Sequence, residues 1–395
     1  MRRVVVTGMG AVSCLGAGRK TLFDGLRAGR SGFRAMPDFA ALGMRCQVAA
    51  PADTSALEPP PRKLRRYLPQ AAEFAWHATI EALAEAGLDE ARVRERDVGI
   101  VMGGAAALSE YEAGLDVFHA KGISRLSPFI VPRSMGSAVS ATLTQAFGFG
   151  GRGFTVGSAC TSATHAIGQA MELIQLGRQE VVVCGGAEEL HDKAAMCFDV
   201  MNALSTTSVA GERVSTPYAA DRDGILLGGG AGVMVLESLE HAQARGATIL
   251  AEMAGYGAAS DPDGMIGPAA DGMAEAMHQA IDLAGILPGY VNTHACATVA
   301  GDLAEWEALR RVFGDLAGRN AVRDDHRRIA AGVARDPGRV ADRQHLVDEG
   351  IGQLDRGAQA RRHLVEQLDH FGRLVLEFVG HALAPLGLGA MDGIP

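Results

Sequence analysis

Long apolar runs, cysteine patterns and excess positive charge are all missing from this 395-residue sequence. No apolar run reaches the roughly 18 residues that a membrane-spanning helix needs, so we expect no membrane partner. The six cysteines have neither metal-site nor disulfide-framework spacing, which indicates free thiols in a reducing cytoplasm. A net charge of −9 argues against nucleic acid as a partner. The basic N-terminus MRRVVVTGMG is typical of a first strand, with no signal peptide.

Short apolar runs alternate with amphipathic segments, a pattern that predicts an α/β protein with sheets buried between helices. A second round begins near residue 249 with ILAEMAGYGAASD, followed by a helix near 271–285 and a short strand before His294. The chain is therefore interpreted as two related halves. The first half contains a predicted helix near 69–87 and strands in RRVVVTGMG, VGIVMGG (98–104), VVVCGG (181–186) and GGAGVMVLE (229–237).

A lone cysteine, Cys160, stands between a predicted strand ending at Ser158 and the helix that follows. Backbone N–H groups and the positive end of the helix dipole are expected to lower the pKa of a thiol there. The same N–H groups can hold the oxyanion that forms when a thioester is attacked. The alternative is a small buried core residue, an interpretation that fits Cys184 and Cys197 better.

A nucleophilic cysteine usually works with a histidine that lies nearby in space. His294 is the better candidate because it follows a predicted strand, in a loop of small residues, where catalytic groups gather in α/β folds. A structural role for His294 stays open on this pattern alone. His165, one helical turn beyond Cys160, is expected to have a packing role.

Six motifs occur along the chain in this order: RKLRRYLPQAAEFA, SACTSATHAIG, VVVCGGAEE, FDVMNALST, DRDGILLGGGAGVMVLE and THACATVAGDLAEWEAL. With them the sequence resembles the thiolase-fold β-ketoacyl-acyl-carrier-protein synthases of bacterial type II fatty acid synthesis, synthase I branch. The resemblance runs to about Gly318 and implies a layered αβαβα fold, a homodimer and no metal or organic cofactor. It makes Cys160 the acyl-accepting nucleophile and His294 the first of two histidines that act on malonyl-carrier.

The resemblance also implies the reaction and the partner. The reaction is decarboxylating condensation of an acyl-carrier with malonyl-carrier, which gives a 3-oxoacyl-carrier in fatty acid elongation. The partner is a small acidic acyl carrier protein with its phosphopantetheine arm. It would dock at Arg62, Lys63 and Arg66, and Thr298 would hydrogen-bond the arm. A solvated helix start is the alternative explanation of these three basic residues.

The sequence departs from the family pattern near His294. Where the family has roughly His-Gly-Thr-Ser-Thr-Pro, this chain has Ala295 for the glycine and Cys296 for the first threonine. A thiol is a weaker hydrogen-bond donor, and alanine is strained where only glycine fits, so weaker binding of the carrier arm is expected. Ile225, in DRDGI, replaces the usual phenylalanine, so chain-length preference stays open.

The larger departure lies past Gly318. No lysine follows Lys193, and neither the family's Lys-x-x-x-Gly-His helix nor its Gly-Phe-Gly-Gly-x-Asn turn occurs. His381 is a poor match for the second histidine. A reading-frame error in a GC-rich gene accounts for the Arg-, Asp- and Ala-rich tail better than a divergent or disordered tail. We therefore divide the chain into 1–248, the N-terminal half, 249–318, the start of the C-terminal half, and 319–395, an atypical tail.

Two other functions remain open on the sequence. The first is a condensation-impaired or non-catalytic partner subunit, like the chain-length factors, although these relatives lose the cysteine that Cys160 represents. The second is a degradative thiolase, which uses coenzyme A and a second catalytic cysteine. Cys296 is the residue that suggests a thiolase, but the basic helix and the DRDG block do not fit one.

Overall fold

The computed structural model describes residues 1–210, 214–262 and 267–314. The strands are β1 (Val4–Ser13), β2 (Gly16–Ala17), β3 (Arg34–Ala35), β4 (Val48–Ala49), β5 (Val98–Gly103), β6 (Gly153–Val156), β7 (Val181–Glu188), β8 (Gly230–Ser238) and β9 (Ala251–Met253). The helices are α1 (Arg19–Arg27), α2 (Pro37–Ala41), α3 (Arg62–Arg65), α4 (Gln70–Ala86), α5 (Glu90–Val93), α6 (Leu108–Lys121), α7 (Ile130–Ser134), α8 (Ala138–Phe147), α9 (Ser162–Gln175), α10 (Asp192–Val200), α11 (Leu239–Ala244), α12 (Ala270–Ala284) and α13 (Val299–Phe313). Short 3₁₀ turns occur at Ile123–Arg125 and Ala159–Thr161.

Seven of the strands form one mixed sheet in the order β2–β1–β8–β7–β5–β6, with β9 also paired to β1. β5 runs parallel to β6 and β7, whereas β1 and β8 are antiparallel to their neighbours. β3 and β4 form a separate two-stranded sheet. The strands predicted from the first-half motifs are confirmed, as is the helix predicted near 69–87.

The central strands are buried on both faces because helices cover both sides of the sheet. On β7, Val181 and Val183 join the core beneath α4, whereas Val182 and Cys184 join the core beneath α9. This alternation follows from the two-residue period of a strand. Apolar side chains on consecutive positions therefore fill two cores, which gives the expected helix–sheet–helix layering.

Glycines allow a helix to lie directly on the backbone of another segment, on β1 in the first half and just after β9 in the second. A Cβ added at any of four glycines would come within 1.9 to 2.1 Å of a helical carbonyl oxygen, so side chains are excluded there. The repetition supports two related halves. The contacts join Gly8 to Ala82 and Gly10 to Ala78 in the first half, and Gly255 to Ala280 and Gly257 to Ala276 in the second.

The second half is represented by β9, α12 and α13. The two helices pack through a separate apolar cluster that includes Met273, Met277 and Leu309. The strand expected before His294 is wrong, since residues 286–298 are irregular. A strand needs a hydrogen-bonded neighbour, and within the described ranges no strand follows β9. The second sheet of the αβαβα order is therefore absent from the described residues, and the expected tail, 319–395, lies outside them.

None of the helices in the described ranges combines the length and apolar character of a membrane span.

Glu237 on β8 is fully buried and stands at the centre of a polar cluster. Arg245 Nε donates to its carboxylate at 2.8 Å, the Thr7 hydroxyl donates at 2.5 Å, and His241 Nδ1 lies 2.5 Å away. Burial alone would raise the pKa of this carboxyl. The hydrogen bonds from Arg245 and Thr7 outweigh burial and lower the pKa instead.

Replacing Glu237 with glutamine should lower the free energy of unfolding by about 3–5 kcal/mol, because it leaves the Arg245 guanidinium without its buried partner. Since the folded state lowers the Glu237 pKa, its contribution is present at neutral pH. It is lost as the pH falls through that lowered value. Denaturant unfolding at pH 7 and pH 4 measures both effects. Glu240→Gln, an exposed change nearby, is the control, and equal losses in the two variants would contradict the prediction.

Candidate active site

Cys160 lies on a sharp turn between β6 and α9. The preceding residue, Ala159, has a φ of 46°, in the left-handed region that is costly for alanine. The turn is held locally, since Ser158 N donates to Ser162 Oγ at 2.8 Å and Thr161 Oγ1 donates to Ser158 O at 2.8 Å. The turn presents Cys160 at the protein surface. The predicted position just before the helix is confirmed.

The expected lowering of the Cys160 pKa is not found. Neighbouring protein atoms desolvate the sulfur although one side of it is exposed, and this burial raises the pKa of the thiol. The Cys296 thiol and the Glu188 carboxylate raise it further, because negative charge nearby disfavours a thiolate. The helix proper begins only at Ser162, two residues beyond the thiol. Little of the Cys160 thiol is therefore ionised at neutral pH, and its reactivity should increase as the pH rises.

His294 lies in the loop between α12 and α13, and its side chain is exposed. The loop is fixed from beneath by Glu305 of α13, which accepts hydrogen bonds from His294 N at 2.7 Å and Ala295 N at 2.8 Å. Hydrogen bonding with the Cys296 side chain raises the pKa of His294 in spite of desolvation. The strain expected at Ala295 is wrong, because Ala297 takes the positive φ, 67°.

A buried polar group behind this loop was not identified from the sequence. Asp302 and Glu305 are both buried on α13, and burial raises the pKa of each carboxyl. Tyr218 N donates to Asp302 at 2.7 Å and the Tyr218 hydroxyl donates to Glu305 at 3.2 Å. Arg222 Nε lies 3.3 Å from Asp302 and donates to Thr298 O at 3.1 Å. The three-residue spacing of Asp302 and Glu305, which places both carboxylates on one side of a helix, was the sequence feature that could have indicated this group.

Two of the resemblance motifs, FDVMNALST and DRDGILLGGG, lie side by side. Ile225 exchanges backbone hydrogen bonds with Ala203 and Ser205, at 2.9 and 3.0 Å. Asp223 accepts hydrogen bonds from Ser205 Oγ at 2.6 Å and from Thr206 N at 2.8 Å. DRDG therefore joins the site loops together, through Asp223 on one side and the neighbouring arginine on the other.

The predicted carrier-binding residues lie at the surface with one exception. Arg62 and Lys63 are exposed on α3. Arg66, just after α3, donates to Lys63 O at 3.1 Å and stacks over the Phe129 ring at 5.4 Å. Thr298 directly precedes α13 and is buried. A basic surface and a buried hydroxyl in the His294 loop are thus what the structure provides at these positions.

The expected packing role of His165 agrees with its contacts. His165 Nδ1 and the Tyr256 hydroxyl lie 2.5 Å apart, which ties α9 to the start of the second half.

Within the described ranges, three side chains of types that can bind a metal ion lie close together. They are Glu112, His191 and Asp192. His191 Nε2 lies 3.0 Å from Glu112. Lys193 already pairs with both carboxylates, at 3.4 and 2.9 Å, so a cation is supplied by the chain itself.

Two domain models of one protein family match this chain. The model of the β-ketoacyl synthase N-terminal domain matches residues 1–242, and that of the β-ketoacyl synthase C-terminal domain matches residues 250–330, past Gly318. The chain belongs to the β-ketoacyl synthase family. The first match includes the Cys160 turn and the second includes the His294 loop. The predicted thiolase-like α/β fold and the family resemblance are confirmed, with the second half incomplete among the described residues.

Relatives within the β-ketoacyl synthase family align with most of the length of this chain. The chain is 40% identical to the 3-oxoacyl-[acyl-carrier-protein] synthase 1 of Haemophilus influenzae over 318 residues, 80% of this chain and 78% of the relative. A β-ketoacyl synthase structure from Burkholderia phymatum STM815 is 35% identical, with a TM-score of 0.75, covering 80% and 79% of the two chains. A chain from a structure of a type II PKS acyl-carrier protein in complex with its ketosynthase is 27% identical, with a TM-score of 0.71. The match covers 80% of this chain and 78% of that chain.

Proposed function

We propose that this β-ketoacyl synthase condenses an acyl-carrier with malonyl-carrier to form a 3-oxoacyl-carrier two carbons longer, in fatty acid elongation. The observation that carries the proposal is the exposed Cys160 thiol on a sharp strand-to-helix turn. It occurs in a chain 40% identical to a 3-oxoacyl-[acyl-carrier-protein] synthase 1.

The first half-reaction is acyl transfer to Cys160. The sulfur attacks the thioester carbonyl, a new C–S bond forms, and the carrier thiol leaves with the proton that Cys160 gives up. The backbone N–H groups of Ala159 and Cys160 would hold the oxyanion, since Thr161 N already donates to Ser158 O at 3.0 Å. Because burial raises the pKa of Cys160, this step should accelerate as the pH rises.

The second half-reaction is condensation. Malonyl-carrier loses carbon dioxide, and the electron pair of the broken C–C bond forms an enolate. A neutral His294 imidazole donates a hydrogen bond to the enolate oxygen, which lowers the barrier for its formation. The enolate carbon then attacks the acyl carbonyl, the bond to sulfur breaks, and the released Cys160 thiolate takes a proton from solvent. Covalent attachment to Cys160 makes this joining step intramolecular.

The direct test uses purified chain, acyl-carrier and malonyl-carrier. We expect carbon dioxide release, a 3-oxoacyl-carrier product and an acyl group mapped to Cys160 by mass spectrometry. Acyl transfer from coenzyme A alone would favour a thiolase instead. No acylation from either donor would favour a non-catalytic partner subunit.

The proposed partner is an acyl carrier protein with its phosphopantetheine arm. A basic surface at Arg62, Lys63 and Arg66 fits a small acidic carrier, and electrostatic attraction would accelerate its docking at low salt. Thr298, buried in the His294 loop, would contact the arm. The related ketosynthase complexed with its carrier protein supports this choice of partner.

Lys63→Glu should reduce the second-order rate constant of carrier-dependent acylation about fivefold to tenfold at low salt, and less at high salt. Acylation from a carrier-free thioester should not change. We choose Lys63 because Arg66 also stacks on Phe129, so changing Arg66 would disturb packing. Arg178→Glu is the matched control, an equal change of charge at another exposed position. Equal losses with the two donors would show that the change damages the fold.

A homodimer is proposed from the exposed edge of the sheet. β6 is the terminal strand, and α6 carries exposed apolar side chains at helical spacing on Leu108, Tyr111, Leu115 and Phe118. A second copy would cover both features. Light scattering tests this, and a monomeric mass would contradict it.

Together with a net charge of −9, the free thiols fit a cytoplasmic enzyme with neither nucleic acid nor membrane as a partner.

A further inference from the structure

An arginine near the end of α7 joins the predicted carrier-binding helix, α3, to α6. Arg133 Nε donates a hydrogen bond to Glu110 Oε2 at 2.6 Å, and Nη2 donates to the other oxygen of the same carboxylate. The remaining nitrogen, Nη1, donates to Arg65 O, the carbonyl of the last α3 residue, at 2.9 Å. The Arg133 and Glu110 side chains are 24% and 20% exposed, so water competes only in part for these hydrogen bonds. The mechanism proposed above assigns no role to either residue.

The helix α3 depends on support from outside. It is four residues long, contains no buried residue and receives no side-chain hydrogen bond at its N-terminus. A helix this short is not stable alone, because a single turn fixes many backbone angles in return for few hydrogen bonds. The carbonyls of its last turn also lack partners within the helix. Arg133, 68 positions further along the chain, supplies a partner to one of them.

The segment around α7 also holds the residues that follow α3. Arg66 stacks over the Phe129 ring at 5.4 Å. The Tyr67 ring meets Phe129 edge-on, with the ring centroids 4.9 Å apart. Since Phe129 directly precedes α7, residues 129–133 fix both the α3 backbone and one of its basic side chains.

α7 is in turn fixed to the central sheet through α6. Ile130 packs against Gly114, where an added Cβ would lie 2.0 Å from Ile130 Cδ1. At the start of α6, Ser109 N and Oγ donate to Glu189, which is buried directly after β7, at 3.0 and 2.5 Å. A continuous series of contacts therefore runs from β7 through α6 and Arg133 to α3.

We propose that Arg133 is a positioning residue for the acyl carrier protein, and that it fixes α3 so that the three basic carrier-binding residues keep one arrangement. The proposal rests on the proposed function, because carrier docking at α3 is taken from it. Arg133 does not act through its charge, since the Glu110 carboxylate neutralises that charge. Lysine is no substitute, because a flexible ammonium does not match the three hydrogen bonds of a planar guanidinium.

Glu110→Gln separates position from charge. The change makes this surface more positive, so electrostatic attraction alone predicts tighter docking of an acidic carrier. Loss of the anchor for the Arg133 guanidinium predicts weaker docking. We expect the octanoyl-carrier concentration at half-maximal acylation of Cys160 to rise about threefold to tenfold, the effect of one hydrogen bond, with no change in the maximal rate. Arg133→Lys, which keeps the charge, should give a similar rise at low and at high salt.

The controls use a second donor and a second ion pair. Acylation from octanoyl-N-acetylcysteamine, a carrier-free thioester, should not change in either variant. Arg92 forms an equivalent bidentate pair with Asp97, at 2.7 and 3.0 Å, so Arg92→Lys is the matched control and should change acylation from neither donor. In the double variant the rise should be smaller than the product of the single rises, because Glu110 and Arg133 act through one contact.

An unchanged or lower half-saturating concentration in Glu110→Gln would overturn the positioning role and leave the proposed function intact. Equal losses with the two donors would also overturn it, because the ion pair would then support only the fold. A rise in Arg133→Lys that disappears at high salt would show an effect of charge and would overturn it too.

No acylation of the unmodified chain from either donor would contradict the proposed function instead. Titration with a fluorescently labelled carrier protein then decides on Arg133. Weaker binding of the carrier by Glu110→Gln would support the positioning role, and equal binding would overturn it.

Discussion

Replacing His294 with alanine should leave acyl transfer to Cys160 intact and lower the rate of malonyl-dependent condensation by about 10²–10³-fold. In the proposed mechanism the imidazole acts where negative charge develops on the enolate oxygen, and that charge is absent during acyl loading. The loop itself should survive, because Glu305 holds it through backbone N–H groups. Single-turnover measurements with labelled acyl-carrier, and then with malonyl-carrier, separate the two steps.

The pH dependence provides a further check on His294. Donation to the enolate requires the neutral ring, and hydrogen bonding with Cys296 raises the His294 pKa above its ordinary 6.5. Condensation from the preloaded enzyme should therefore increase with pH across a window that lies above 6.5.

His278→Ala, an exposed histidine on α12, is the matched control and should change neither step. Equal loss of loading and condensation in His294→Ala would contradict the assignment and place His294 in the first step.

Sequence patterns predicted most of the first half correctly. The strands before and after the Cys160 turn are short apolar runs next to glycines. The sequence alone is enough to predict such runs as strands. The location of Cys160 followed from that turn. Its raised pKa did not, because burial and charge interactions with residues distant in sequence, including Cys296, cause it.

The second half was harder to predict because its contacts are long-range. The strand expected before His294 was inferred from local apolar character, but a strand exists only beside a partner. Tyr218 contacts Asp302, which lies 84 positions further along the chain, and Arg222 contacts Thr298, which lies 76 positions further along. The paired carboxylates, Asp302 and Glu305, were visible in the sequence, but their partners were not.

Replacing residues 319–395 with the corresponding segment of the Haemophilus influenzae relative should increase condensation at least about 100-fold and leave acyl loading nearly unchanged. Loading depends on Cys160 and its turn, which lie wholly within the first half. In the proposed mechanism, condensation needs two donors on the malonyl thioester carbonyl, and His294 would supply one. The family resemblance implies a second histidine donor in a Lys-x-x-x-Gly-His segment, which the sequence past Gly318 does not contain.

A parallel variant of this chimera with Cys160→Ala is the control, and it should neither load on residue 160 nor condense. Sequencing the DNA around codons 315–330 tests the cause, because a one-base change that restores the Lys-x-x-x-Gly-His segment would show a frame error.

Rapid condensation by the unmodified chain would contradict the prediction. That result would require another donor, and His381, which lies outside the described residues, would be the first to replace with alanine. If His381→Ala then condensed as fast as the unmodified chain, His294 alone would have to stabilise the enolate, and the two-donor requirement itself would be wrong for this enzyme.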